Sequence, residues 1–479
     1  MPIIIPANSA VAGGFDIANG CRFDRAGSDY LSRSFSGSRT GSGTKFTFST
    51  WIKRSQLGTD QTICYNYGSS VQFGYLYFRG AQKDVRYFDR VDGGDTCVGT
   101  SAPFEFNDNT AWYHFVLQVD TTLGTGADRV KLYVNGVFRA FNFDNTPNQN
   151  QALNFGAVAT RTISSNYGGG NYFDGYQCET IFIDGQALQA DSFGEFDGDS
   201  GIWKPINVSG LTFGSIGFYL EYQNSGALGT DSSGGSNTFT AVNIGSVNQT
   251  TDTCTNNFAT WNPLIYSPET LVFTEGNTNA SSQPVGAQYH GSSTLGMTSG
   301  KWYAEFKCTA ANTYGYVGIS ASPSNTAQND RVPGYYADEY TLYSYNGYLK
   351  TNNSGSTYAA AYTSSGDIIG VAVDTDNNKL YFSKNGAWAT GSGAWGSTTF
   401  NAGTGAVTIT ASNLTTEQAY FFIIGDADEG SSAKFNGNFG NPSYSTGTNQ
   451  DGNDRGNFAY AVPSGHLALC TKNISEALS

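Results

Sequence analysis

The chain has 479 residues, among them 60 Gly, 30 Tyr and 32 Phe, and a formal net charge of −14. That length exceeds a single hydrophobic core, so two or more domains are expected, and the acidic balance without Lys or Arg clusters excludes an electrostatic nucleic-acid binder. Only 13% of residues are charged, yet the aromatic content can bury a large core, which excludes a disordered chain; short aromatic runs between Gly, Asn and Ser point to an all-β fold with many turns.

Residues 1–20 form an apolar, Gly-rich arm. Pro2, Ile3, Ile4, Ile5 and Pro6 are too few for a signal h-region and lack a basic n-region. They read either as a first edge strand or as an arm that attaches the protein to a larger assembly. No segment reaches about 18 apolar residues, so no membrane span is expected. The seven Cys are widely spaced with no Cys-x-x-Cys, against a zinc cluster. Their odd number predicts mostly free thiols and synthesis in a reducing cytoplasm; whether Cys64 and Cys97 pair stays open.

Residues 21–199 read as a first sandwich. Its strands are marked by Phe46 to Lys53, Trp112 to Asp120, Val130 to Val137 with Asn135-Gly136 at a hairpin turn, and Tyr176 to Asp184. Tyr65, Tyr67, Tyr75, Tyr77 and Arg79 are spaced by two, which places the tyrosines on the core face of strands. A trace of helical periodicity occurs near Ala187 to Phe196. The order of these phrases resembles a laminin-G-like or concanavalin-A-like jelly roll.

Residues 200–285 read as an irregular bridge, and 286–444 as a second sandwich. Trp302, Ala304, Phe306 and Cys308 alternate with Lys301, Tyr303, Glu305 and Lys307, the pattern of a half-buried strand. Ile368 to Val373 is apolar on both faces, as in a central strand. Leu380 and Phe382 share a face of a strand running to Asn385-Gly386, a second hairpin. With Val317-Gly318-Ile319, Tyr420 to Ile424 and Asn438-Phe439-Gly440, these pieces in this order resemble a SPRY domain, which implies a binding sandwich and not an enzyme. Residues 445–479 form a tail expected to pack back on that sandwich. The fold class is thus all-β: two β-sandwich (jelly-roll) domains joined by an irregular bridge.

The opening Pro2 to Ala10, the bridge phrase Thr251 to Leu264 and the closing Phe458 to Asn473 resemble virion proteins of bacterial viruses. This implies a tail fibre or short appendage, made in the host cytoplasm and carried on the virion. It would attach to other virion proteins through the N-terminal arm and bind a host surface glycan or protein. A homo-oligomer is expected, a trimer by analogy with appendages. The alternative is a capsid decoration or head-fibre protein. A glycan hydrolase on the first sandwich is the reading from another class.

Hydrolysis on such a jelly roll needs Glu-x-Asp-x-x-Glu on one strand. The nearest phrase, Glu195-Phe196-Asp197-Gly198-Asp199-Ser200, lacks the last Glu and reads as a solvated acidic turn. The three histidines, His114, His290 and His466, form no evident triad, so no catalytic residue is assigned and no cofactor is expected. Calcium is the one ion that the laminin-G resemblance leaves open. Asp374, Asp376 and Asn378 mimic the start of a calcium loop but lack its Gly and Glu, and Asp426-Ala427-Asp428-Glu429 reads as a second acidic loop; the metal ligands stay unknown. The candidate binding surface is the loop set around Tyr335, Tyr336, Asp338, Glu339, Tyr340, Tyr343 and Tyr345, because Tyr joins an apolar ring to a hydroxyl at low entropic cost.

Overall fold

The computed structural model describes residues 14–265, 271–282, 289–311, 314–323, 331–410, 419–426 and 434–477. It is an all-β protein that divides at Asn256/Asn257 into two compact units. The N-terminal arm residues Pro2 to Pro6 lie outside the described residues.

The first unit contains β1 (Gly20–Phe23), β2 (Tyr30–Ser34), β3 (Lys45–Arg54), β4 (Gln61–Ser69), β5 (Gln72–Arg79), β6 (Asp84–Val91), β7 (Gly94–Thr100), β8 (Trp112–Asp120) and β9 (Val130–Val134). It continues through β10 (Val137–Arg139), β11 (Asn142–Asn145), β12 (Thr160–Ile163), β13 (Gly175–Asp184), β14 (Gly194–Phe196), β15 (Trp203–Pro205), β16 (Phe218–Leu220), β17 (Thr240–Val242) and β18 (Gln249–Thr250). One sheet runs β10-β9-β8-β3-β13-β1-β18, with β16 added beside β13; the facing sheet runs β11-β7-β6-β5-β4-β12-β2-β17. Phe48, Leu76, Phe78, Phe115, Leu117 and Phe182 fill the space between them.

The first sheet is covered on its other face too. Trp51, Val116, Cys178 and Ile183 pack there under Phe193, Trp203, Phe213 and Tyr219. His114 belongs to this layer. It stacks on Trp51 at 4.5 Å, accepts from Trp203 Nε1 at 3.0 Å and lies 2.8 Å from Ser49 Oγ. Burial pushes the imidazole down to about 3, so it stays neutral. The turn Asn135-Gly136 has φ of 48° and 76°, the doubly positive geometry that Asn-Gly supplies at least cost.

Residues 200–285, read from sequence as an irregular bridge, add strands to both units. β16 pairs with β13, β17 with β2 and β18 with β1. These pieces are only two or three residues long, too short for a period to register. Near Ala187 to Phe196 the structure holds one 3-10 turn, Ala190–Ser192, followed directly by β14. Cys64 on β4 and Cys97 on β7 are separated by three strand spacings, about 14 Å, beyond the roughly 7 Å that a disulfide tolerates. All seven cysteines are buried and unbridged.

The second unit contains β19 (Leu271–Thr274), β20 (Asn279–Ser282), β21 (Tyr289–Ser292), β22 (Lys301–Cys308), β23 (Gly315–Ser320), β24 (Glu339–Tyr343), β25 (Tyr348–Thr351) and β26 (Ser354–Thr357). It continues with β27 (Ile368–Asp374), β28 (Lys379–Lys384), β29 (Ala387–Trp388), β30 (Val407–Thr408), β31 (Phe421–Asp426), β32 (Lys434–Asn438) and β33 (Leu467–Ala468). One sheet runs β19-β20-β32-β22-β27-β28-β29, with β30 beside β28 and β33 beside β22; the other runs β21-β31-β23-β24-β25-β26. Trp261, Phe306, Leu342, Val371, Phe382 and Phe422 fill the core between them. The Asn385-Gly386 hairpin again has positive φ at both residues, 50° and 81°.

The tail packs on this unit. β33 pairs in parallel with Trp302 and Tyr303, and a short helix, Thr471–Ala477, follows. Tyr303 and Glu305, expected on a half-exposed face, are therefore fully buried. The Glu305 carboxylate accepts from the backbone N–H of Ala459 at 2.8 Å and of Tyr460 at 2.9 Å, and from Asn438 Nδ2 at 3.1 Å.

A bulge interrupts β13 between Cys178 and Ile181. Glu179 sits there at φ 51°, its carboxylate buried and bonded by the Tyr219 hydroxyl. Burial raises this carboxyl from 4.5 to about 8. A pKa raised on folding gives a contribution that is complete below the unfolded value and lost as pH rises through the folded one. The variant Glu179→Gln mimics the protonated form. It is expected to match the parent at pH 4.5 and to exceed it by about 1–3 kcal/mol at pH 8.5 in urea unfolding. A gap that does not widen with pH would show that the carboxylate ionises there without cost.

Candidate functional site

Alternation along β4, β5 and β6 sends Cys64, Leu76, Phe78, Val85 and Tyr87 into the sandwich. It sends Tyr65, Tyr67, Phe73, Tyr75, Tyr77, Arg86, Phe88 and Arg90 to the opposite face. The register places Tyr75 between Tyr65 and Phe88, Phe73 between Tyr67 and Arg90, and Tyr77 beside Arg86. Among the described residues no hydrophobic cluster covers this face, in contrast to the other sheet of the unit.

The rings overlap in parallel. Tyr65 and Tyr75 lie 5.5 Å apart at 14°, Tyr75 and Phe88 5.0 Å apart at 11°, and Tyr65 and Phe73 5.8 Å apart at 10°. Such separations are those of offset stacking; Tyr65, Tyr67, Phe73 and Tyr75 are half-buried, whereas Phe88, beneath the two arginines, is only 6% exposed. Tyr167, half exposed at 49%, stacks on Tyr67 at 3.8 Å and adds a ring to the row from the loop after β12. Arg86 and Arg90 lie over Phe88 at 5.5 and 5.6 Å. Past Tyr65 and Tyr67 the same face carries Thr160 and Thr162 and then Ser32 and Ser34; Thr162 is buried with its hydroxyl on Ser165 O, and the exposed Ser34 hydroxyl lies 2.9 Å from that of Thr160. The result is an aromatic strip flanked by two guanidiniums and a row of hydroxyls.

Sequence spacing assigned these tyrosines to the core. The period was read correctly, but the tyrosines occupy the outward face because Leu76, Phe78 and Cys64 already fill the inner one. The missed signal is in the sequence: Gln72 to Arg79 is aromatic on one register and apolar on the other, so only one register could face the core.

The residues chosen from sequence in the second unit fall into two groups. Glu339 and Tyr340 are buried, a correction to their assignment to the binding surface. Glu339 accepts from the backbone N–H of Gly334 at 2.9 Å and from Ser320 Oγ at 3.3 Å, so it shapes the turn before β24. Tyr340 packs in the core, its hydroxyl 2.9 Å from Thr410 Oγ1. Tyr343 and Tyr345 do face outward. Tyr343 stacks on Tyr316 at 4.5 Å, and Tyr345, 57% exposed, lies parallel to Tyr314 at 6.0 Å. Tyr335 and Tyr336 meet edge to face at 5.1 Å, with Arg331 over Tyr335 at 4.8 Å. Asp338 is half-buried in the turn between them and β24.

Glu195 and Asp197 do not form a hydrolytic pair. Glu195 lies on the short strand β14, where the sequence suggested a turn, and both carboxylates contact Lys204 Nζ, at 3.4 and 3.1 Å. Hydrogen bonds from Ser200 and Lys204 hold Asp197 well below the usual carboxylate range, unsuited to donating a proton. Asp376 accepts from Gly300 N at 2.7 Å, and Asp374 binds Lys301 at 3.0 Å and Asn377, as in a closed turn. Among the described residues no group of three His, Cys, Asp or Glu could hold a metal ion; Asp428 and Glu429 lie outside them.

The profile of the concanavalin A-like lectin/glucanases superfamily matches residues 25–191, and that of the SPRY domain matches residues 301–419. The chain carries both domains. It is 32% identical over 88 residues to Ran-binding protein 9 of Danio rerio, covering 18% of this chain and 14% of that protein. It is 25% identical over 135 residues to the Ran-binding proteins 9/10 homolog of Drosophila melanogaster, covering 26% of this chain and 14% of that protein. The chain thus spans a small part of the length of the curated relatives it matches. Among solved structures it is similar to the SPRY domain of human HERC1, with 17% identity and a TM-score of 0.27 over 35% of this chain and 91% of that one. It is also similar to a putative carbohydrate binding protein from Bacteroides ovatus, with 17% identity and a TM-score of 0.33 over 47% and 58%.

Proposed function

We propose that this chain is a non-catalytic recognition protein of a bacterial-virus particle, which binds a host surface glycan through the aromatic face of its first unit. The observation that carries the binding reading is the strip of stacked, partly exposed rings from Tyr167 through Tyr67 and Tyr65 to Tyr75, backed by the buried Phe88. A pyranose presents an apolar C–H face to such rings and its hydroxyls to Tyr, Thr and Ser side chains. The lectin/glucanases description of the matching family supports the same ligand class. The virion role is supported by the resemblance of Pro2 to Ala10 and Phe458 to Asn473 to virion proteins; the N-terminal arm would bind the particle.

The double variant Tyr65→Ala/Tyr75→Ala is expected to lose at least tenfold in affinity for the glycan that the parent selects on an array, read by calorimetry. Tyr345→Ala in the second unit is expected to leave it unchanged. The reverse pattern would move the site to the SPRY domain. Position in the particle is a separate question, answered by electron microscopy of labelled virions: density at the tail supports an adhesin, and density over the head lattice a capsid decoration.

A further inference from the structure

Arg86 and Arg90 occupy equivalent outward positions on either side of Phe88, but they are not equivalent in chemistry. Arg90 is bonded to Asp95, with Nε to Oδ1 at 2.8 Å. Arg86 has no carboxylate partner among the described residues, and its Nε is buried without an acceptor. Its neighbours across the strands are Tyr77 and Thr100, and beneath it lies the Phe88 ring. Nε is shielded from solvent, so an acceptor from outside would reach the guanidinium through its two terminal nitrogens, which are not among the shielded atoms. In a chain with 39 Asp and Glu against 25 Lys and Arg, internal carboxylates are plentiful, so a cation without one on an aromatic face is suited to an acceptor from outside.

The guanidinium carbon lies 5.5 Å from the centre of the Phe88 ring, a cation–π contact that restrains its position before a ligand arrives. Its fork matches the two oxygens of a carboxylate. The Tyr75 ring lies 4.8 Å from that of Tyr77, edge to face, which leaves an apolar step beside Arg86. We propose that this face selects acidic glycans, a carboxylate-bearing pyranose placing its carboxylate on Arg86 and its C–H face on Tyr75. The inference rests on the glycan-binding reading above and adds the charge class. One guanidinium without an internal partner matches the single negative charge of a uronic or sialic residue.

The test is calorimetric titration of the full chain with oligogalacturonate, oligoalginate and sialyllactose, each paired with its carboxyl methyl ester. At least one acid is expected to bind tenfold or more tighter than its ester. In Arg86→Gln that ratio should fall toward one, and in Arg86→Lys it should be partly restored, with unchanged thermal unfolding showing that the variants fold. If no acid is preferred over its ester, or if Arg86→Gln keeps the preference, the acidic class is overturned. Binding of neutral glycans that Tyr65→Ala/Tyr75→Ala abolishes would leave the glycan reading standing in that event; absence of binding to any glycan on the array would remove both.

Discussion

Replacing Lys53 with methionine is expected to destabilise the first unit by about 3–5 kcal/mol. Lys53 and Asp252 are an ion pair at 2.8 Å whose side chains are 2% and 0% exposed. The pair lies where β3 meets the chain just after β18, with the Lys53 ammonium also over the Tyr176 ring at 5.3 Å and Trp112 Nε1 donating to Asp252 at 3.2 Å. Removing the cation leaves a carboxylate in a site that water does not reach, and that uncompensated charge is the source of the cost. The double variant Lys53→Met/Asp252→Leu removes both charges and should recover most of the loss. Thermal unfolding reads both, with the single variant expected to fall by roughly 10 °C. A single-variant loss below about 1 kcal/mol would mean that the pair is solvated in solution.

The second large effect concerns Glu305. In Glu305→Gln one carboxylate oxygen becomes an NH2 that must face the backbone N–H of Ala459 or Tyr460, so donor meets donor. The expected cost is about 2–4 kcal/mol. It should be local in form: the tail from Ser445 onward loses one of its two backbone anchors on this side chain, although Asp451 still accepts from Ala468 N at 2.8 Å. Limited proteolysis followed by mass spectrometry should show cleavage between Ser445 and Gly465 in the variant at protease levels that leave the parent intact. Equal resistance would show that the parallel β33 pairing alone retains the tail.

Most of the fold was legible because strands write either their period or an apolar run into the sequence. Phe46 to Lys53, Trp112 to Asp120 and Ile368 to Asp374 all form strands where alternation or apolar runs placed them. Both Asn-Gly turns were legible for a different reason, since few other pairs tolerate positive φ at both positions. Period alone does not say what covers a face. Tyr303 and Glu305 alternate like surface residues and are buried because a tail some 160 residues later lies over them. Tyr65 and Tyr75 alternate like core residues and face outward because another register supplies the core. The candidate site was misplaced by the same ambiguity: a cluster of tyrosines in sequence around Tyr340 is partly structural, whereas the uncovered strip draws its rings from four separate segments.

The closure of the first unit also sets an order of events during synthesis. Gly20 in β1 pairs with Thr250 in β18, and Cys21 with both Gln249 and Gln177. At roughly 5–20 residues per second, the ribosome needs about 10–50 s to deliver the partner of a strand it released near the start. Through that interval β1, buried on every residue in the finished unit, has its hydrogen-bonding edges unpaired. The nascent chain is therefore expected to draw on holding chaperones, and its yield at high expression should depend more on their supply and on translation rate than on the stability of the finished sandwich.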